Sequence, residues 1–151
     1  GLSHLEGEPV RILTNGATHS DKLVASAAVA LTRATTKAHV GLAFDSTLQT
    51  MRLEAGSTDG TAQNKIKRID EVTTRLYRTV NVLVGGSTSS LDRIPFRSGV
   101  HAMDAAIPMF SGDKEAEMPV GYDQDAFVVV RQDLPLPMTI VAIYARTQTY
   151  D

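Results

Sequence analysis

Apolar positions along the chain recur mostly at every second residue, and the runs that carry this period are short. Val10 and Ile12 alternate with Arg11 and Leu13 to give a strand with one apolar face, and Asn15-Gly16 closes it. Asn-Gly is a strong hairpin signal, because both central positions of a type I′ turn need positive φ. Upstream, Gly7-Glu8-Pro9 is a turn signal feeding that strand. Leu23–Leu31 is a second apolar region, read as a core strand or hairpin, with two short strands meeting near Ser26-Ala27. His39–Phe44 alternates with Val40, Leu42 and Phe44 on one face. Asp45-Ser46 then reads as a turn, and Thr47–Leu53 as a further strand.

The polar segment from Glu54 to Asn64 has no period and reads as a long surface loop. Lys65–Val84 carries two signals at once. Ile66, Ile69, Val72, Leu76 and Val80 fall at helical spacings, yet Val80, Val82 and Val84 alternate strictly and the segment is dense in β-branched residues. Branched side chains lose rotamer freedom in helices and suit pleated surfaces, which favours strands. Gly85–Ser90 reads as a flexible, linker-like loop. Beyond it the chain looks irregular, punctuated by Pro95, Pro108 and Pro119 around Phe96 and Phe110. Gly121–Asp125 is a turn leading into a buried-looking strand at Ala126–Arg131, Asp133–Pro137 is a connector, and Met138–Ala145 is the last strand. Many short strands between turn signals predict an all-β fold, an antiparallel sandwich or barrel-like domain with long loops.

Bulk composition narrows this without redirecting it. The chain has 151 residues, 42% of them hydrophobic, which suits a single domain over 1–151 and argues against disorder. It has no cysteine, so it is not a disulfide-stapled module. Fifteen basic and 17 acidic residues leave a net charge of −2, so generic attraction to nucleic acid or membrane surfaces is not the default. No stretch approaches the roughly 20 apolar residues that span a bilayer. The small-residue spacing of Leu23–Leu31 mimics a signal-peptide cleavage region, but Glu6 and Glu8 stand where a signal would be basic.

Each candidate chemistry meets a simpler reading. His4, His19, His39 and His101 are scattered, without the spacing of a zinc site, and read as surface or packed histidines. Asp123-x-Asp125 after Gly121 lacks the further acids of a calcium loop, so a turn stabilised by Asp side chains is favoured. Gly85-Gly86-Ser87-Thr88 has no lysine to make it a phosphate loop. There is no Gly-x-Ser-x-Gly elbow, and nothing selects a carboxylate pair for glycoside hydrolysis. Lys65, Lys67, Arg68, Arg75 and Arg78 form one basic concentration with Tyr77 as its sole aromatic, so a solvated strand face or inter-subunit charge pairing is favoured over a nucleic-acid site. No catalytic, cofactor-binding or metal-binding residue is assigned, and the expectation is a protein that is not an enzyme.

Gly1–Gly7 followed by Val10–Gly16 resembles the C-terminal region of phage tail proteins of the tail tubular protein B, or nozzle, type of short-tailed phages. Further matching stretches are Val40–Thr50, Gly60–Lys65, Lys67–Ile69, Leu91–Arg97, Phe110–Lys114, Gly121–Asp123 and Arg131–Thr139. These are turn and packing signatures rather than chemical ones. Ala27-Ala28 departs from the pattern, standing where a Gly-bearing turn between strands is expected.

The resemblance implies a β-rich structural domain near the C-terminus of a longer tail protein, in keeping with Gly1 where a Met would open a chain. It implies a virion location and assembly into rings, hexameric for nozzles, that retain and pass DNA and dock neighbouring tail or fibre proteins. On that view partner contacts fall on the loop from Glu54 to Asn64 and on the Pro95–Pro119 region, because loops carry contacts. A second reading is a β-sandwich module that binds a host-surface carbohydrate or receptor. The lack of Trp, with only Tyr77, Tyr122, Tyr144 and Tyr150, weakens it.

Overall fold

The computed structural model describes residues 1–54, 61–63, 65–103, 105–118 and 120–150. Among them lie ten strands: β1 (Pro9–Thr14), β2 (Ala17–Leu23), β3 (Ala38–Leu42), β4 (Ser46–Gln49), β5 (Ile66–Thr79), β6 (Leu83–Ser87), β7 (Ser90–Arg93), β8 (Phe110–Glu117), β9 (Val129–Gln132) and β10 (Ile140–Tyr150). The only helical element described is a single 3₁₀ turn at Ser3–Leu5. The strands form three antiparallel sheets, ordered β2-β1-β3, β10-β5-β8 and β4-β9-β6-β7. The fold is all-β, as the period-2 pattern predicts, and sandwich-like.

The larger core lies between the second and third sheets. From β5 come Ile69, Val72 and Leu76; from the facing sheet come Val84 and Val130, with Val82 and Val128 beside them. Alternation along β5 produces this directly, since Val72, Thr74 and Leu76 turn inward while Thr73, Arg75 and Tyr77 are partly or fully exposed. Strands are therefore the correct reading of the ambiguous Lys65–Val84 segment. The helical-looking apolar spacing arises from a bulge, because the β10 register shifts between Arg146 and Thr147 where β5 steps from Glu71 to Ile69. One extra residue in a strand converts a spacing of two into three.

A second cluster, sharing no member with the first, holds the N-terminal sheet together. Val10, Ile12 and Val24 are buried in it, with Leu2, Leu5, Val29, Leu31 and Val40 packed around them. The Asn15-Gly16 turn is present, with φ of +48° and +83° and Thr14 paired to Ala17. Asn15 also anchors the chain returning toward β3, its side-chain oxygen accepting from Thr36 Oγ1 and the Lys37 N–H at 3.0 Å each.

Several expected elements differ in detail. Gly85–Ser90 is no linker: Gly85, Gly86 and Ser87 end β6, Thr88-Ser89 turn, and Ser90 opens β7. A Cβ at Gly85 would sit 1.9 Å from the Ser90 carbonyl oxygen, so glycine here permits close approach of two strands rather than flexibility. The Pro95–Pro119 region contains β8, whose polar alternation (Phe110–Glu117) hides a strand from a search for apolar runs. Leu23–Leu31 provides only the end of β2 and one bridge, Ala25 to Ala28. The strand expected over Thr47–Leu53 stops at Gln49, and the last strand runs on to Tyr150. Leu42 and Phe44 do not reach a core and are 56% and 74% exposed.

Candidate interaction surfaces

The turn at Ser26-Ala27 shows how local chemistry replaces the expected glycine. Both residues adopt positive φ, +54° and +55°. Glu6 makes this tenable: Oε1 accepts the Ser26 N–H and Oε2 the Ala27 N–H, each at 2.7 Å. One carboxylate thus holds two successive amides of a strained turn, through charge-assisted bonds stronger than neutral ones.

Where the N-terminal sheet meets the rest of the chain, three charges converge. Asp45 accepts from Arg11 of β1 at 3.1 Å and from Arg131 of β9 at 2.6 Å, and Arg11 also donates to the Phe44 carbonyl at 3.1 Å. The hydrogen bond from Arg131, then that from Arg11, hold the Asp45 carboxyl below its ordinary value of 3.8. Next to this triad lies an open groove of about 220 Å³, lined by Leu13, His39, Val40, Leu42, Phe44 and Pro135 among others. Neither the triad nor the groove follows from the sequence pattern, because the partners lie 34 and 86 positions apart.

The basic concentration at 65–78 disperses across the fold. Lys67 is buried at 1% exposure, and its Nζ donates to the Leu53 carbonyl at 3.0 Å. This corrects its placing on a solvated face: Lys67 lies on the inward side of β5, in register with Ile69. Its charge lies near Glu54, whose carboxyl is held below its ordinary value mainly by hydrogen bonds from Thr61 and the Ala62 N–H. Arg68 pairs with Asp70 at 2.9 Å, and Arg75 makes a bidentate pair with Asp113 at 2.8 Å.

On the outer face of the β10-β5-β8 sheet, strand register stacks charges in rows. Arg146, Glu71 and Glu117 share one row, and Tyr144, Thr73 and Glu115 the next. The Arg75 guanidinium lies 5.3 Å from the Tyr144 ring centre. Like charges directly opposite each other, as in Glu71 and Glu117, are unfavourable. Glu71 is relieved by a long 3.8 Å contact to Arg146.

The remaining sequence candidates fall apart spatially. His19 accepts from the Thr32 N–H at 3.2 Å, His101 from the Ser98 N–H at 3.2 Å, His4 sits in the 3₁₀ turn and His39 lines the groove. Asp123 makes the expected turn, accepting the Asp125 N–H at 3.2 Å, and Asp125 pairs with Arg52 at 2.7 Å. Among the described residues no group of three His, Cys, Asp or Glu side chains is placed to hold a metal ion. No helix among them is long and apolar enough to cross a membrane.

Of the two expected contact segments, most of the first (55–60 and 64) lies outside the described residues. In the second, Arg97 donates to the Ala102 and Ala105 carbonyls at 2.6 and 3.0 Å, fixing a loop from which Val100 and Met103 project, both more than 85% exposed. Tyr122 and Tyr150 meet edge to face at 6.1 Å and frame an apolar hollow with Ile66. No family model matches the chain, and no curated protein matches it significantly.

Proposed function

We propose that this chain is a non-catalytic structural part of a phage tail, of the nozzle or distal-tube type, which assembles with copies of itself and with neighbouring tail or fibre proteins in the virion. The observation that carries the reading is the amount of large apolar surface presented to solvent on ordered, hydrogen-bonded segments: Phe44, Met51, Val100 and Met103 are each at least 74% exposed. Val100 and Met103 project from the one loop that Arg97 fixes, and apolar surface gathered in this way suits contact with another macromolecule. The resemblance of the opening segment and of Leu91–Arg97 to nozzle-type proteins supplies the kind of partner. Mass spectrometry of purified tails, with labelled antibody against the chain in electron micrographs, tests this. Peptides in fixed ratio to known tail proteins and label at the tail tip are the expected result, and absence from particles overturns it.

The alternative of a host-surface carbohydrate module rests on one observation, the Tyr122–Tyr150 pair beside Ile66. Tyr150→Ala discriminates: loss of binding on a glycan array would favour that module, whereas an array with no binding at all favours assembly.

A further inference from the structure

The two free edges of the β10-β5-β8 sheet differ in chemistry in a way that fits one to the other. The edge formed by β8 is acidic: Ser111, Asp113, Glu115 and Glu117 point outward along it. Asp113 is neutralised by Arg75, but Glu117 faces Glu71 across the strand pair. Charged side chains of this kind keep an edge from pairing with its own copy.

The edge formed by β10 is less guarded: its own bulge lies at its start, where the register with β5 shifts between Ile140 and Ala142. It runs for 11 residues with neither Pro nor Lys, and Val141, Tyr144 and Tyr150 are exposed along it. Its single charge is Arg146, whose side chain is 76% exposed and touches Glu71 only at 3.8 Å. Among the described residues no strand lies on its far side. A long, mostly uncharged edge presents unpaired N–H and C=O groups as a template for an added strand.

We infer that the β10 edge of one copy receives the β8 edge of a second copy, with Arg146 of β10 placed against the acidic Glu115–Glu117 row of that copy. This inference rests on the assembly reading above and names its interface. Self-pairing of β8 would oppose like charges, and self-pairing of β10 would leave Arg146 without an acid from the partner. The mixed pairing answers both. Since β8 and β10 each run antiparallel to β5, they run parallel to each other, so copies in the same orientation would join them as parallel neighbours. Such a head-to-tail contact is heterologous and either closes into a ring or extends as a filament.

Sedimentation velocity of the full chain over a range of concentrations and salt tests the interface, with circular dichroism confirming that each variant folds. All substituted side chains are exposed, so folding is expected to survive. Arg146→Glu is expected to weaken association about tenfold or more, since like charges juxtaposed across an interface cost over one decade in affinity. Glu115→Lys/Glu117→Lys should do the same, and combining the two sets should restore association. Association that weakens with Arg146→Glu but ignores the β8 variants would show β10 pairing with itself and overturn the inference. So would association indifferent to both sets, or a monomer at every concentration. An oligomer indifferent to these charges leaves the tail assignment standing, whereas a charge-dependent oligomer absent from virions sinks that assignment alone.

Discussion

At the scale of single residues, the Glu6 clamp and the Gly85 contact are the sharpest cases of sequence choice enforced by backbone geometry. Ser26 and Ala27 hold positive φ that costs an L-residue roughly 1–2 kcal/mol each. The Glu6 carboxylate offsets this by accepting both amides, much as a side chain caps a helix. Glu6→Ala should therefore lower stability by about 1 kcal/mol, read from the urea midpoint, with most of the loss recovered when Ala27→Gly is added. Gly85→Ala should cost more, about 1–3 kcal/mol, because its methyl would overlap the Ser90 carbonyl that β7 fixes in place. An unchanged midpoint for Gly85→Ala would mean that the β6–β7 hairpin is looser than its register indicates. These residues also mark where the sequence was readable. Asn15-Gly16 announced its turn because local φ requirements are written in residue type. Near Ser26-Ala27 the apolar run indicated a meeting of two strands but not what holds the turn, because the stabilising group lies 20 positions upstream.

At the scale of elements, strand alternation was legible where one face met the core, as in β1; β5 and β9 were legible from their β-branched residues, and strands were illegible where both faces stayed partly wet. β8 is the clearest miss, since Ser111, Asp113, Glu115 and Glu117 alternate with residues that are only half-buried. Pairing partners explain the other misreading, that of the basic concentration as one surface. On either side of the β5 bulge an even step keeps a face and an odd step changes it, so Lys67 points inward while Arg68 points outward and pairs with Asp70. With Lys67 buried and Arg68 and Arg75 paired to acids, this strand offers no row of cations at phosphate spacing. Fluorescence anisotropy with a labelled duplex at physiological salt should accordingly show no saturable binding. A tight complex whose affinity falls steeply with salt would contradict that. The acids in these pairs give a pH signature. Asp113 is held below 3.8, first by the Arg75 hydrogen bond. Asp133 is also lowered: burial opposes this, but bonds from Arg93 and Asn81 outweigh it. Depressed carboxylates contribute stability that is present above their unfolded value and is lost as pH falls through the folded one. The thermal midpoint should thus hold level down to about pH 4 and drop below it. Asp133→Asn should lower the midpoint at neutral pH and flatten the acid limb.

At the scale of the whole molecule, two cores of unequal size share no member, and a charge triad bridges the units that hold them. The N-terminal cluster buries Val10, Ile12 and Val24 fully, whereas the sandwich core buries ten residues. At about 1.5–3 kcal/mol for each fully buried aliphatic side chain, the smaller unit has far less to oppose the entropy of its own ordering. The Arg11–Asp45–Arg131 triad therefore matters beyond the usual worth of an exposed pair, because one carboxylate binds a cation from each unit. Removing it leaves the small sheet attached mainly by the covalent chain and along the open groove that Leu13, Val40 and Leu42 line together with Leu134 and Pro135. Regions with few buried contacts open before the global transition. Hydrogen exchange should then show β1–β3 amides exchanging faster than those of β5 and β9 in the wild type, with Asp45→Asn widening the gap. The same separation should appear in the wild type on acidification, since protonating Asp45, whose carboxyl the two arginines hold below 3.8, removes the same link. Equal acceleration of all strands in Asp45→Asn would instead show one cooperative unit, with the triad no more than a surface contact.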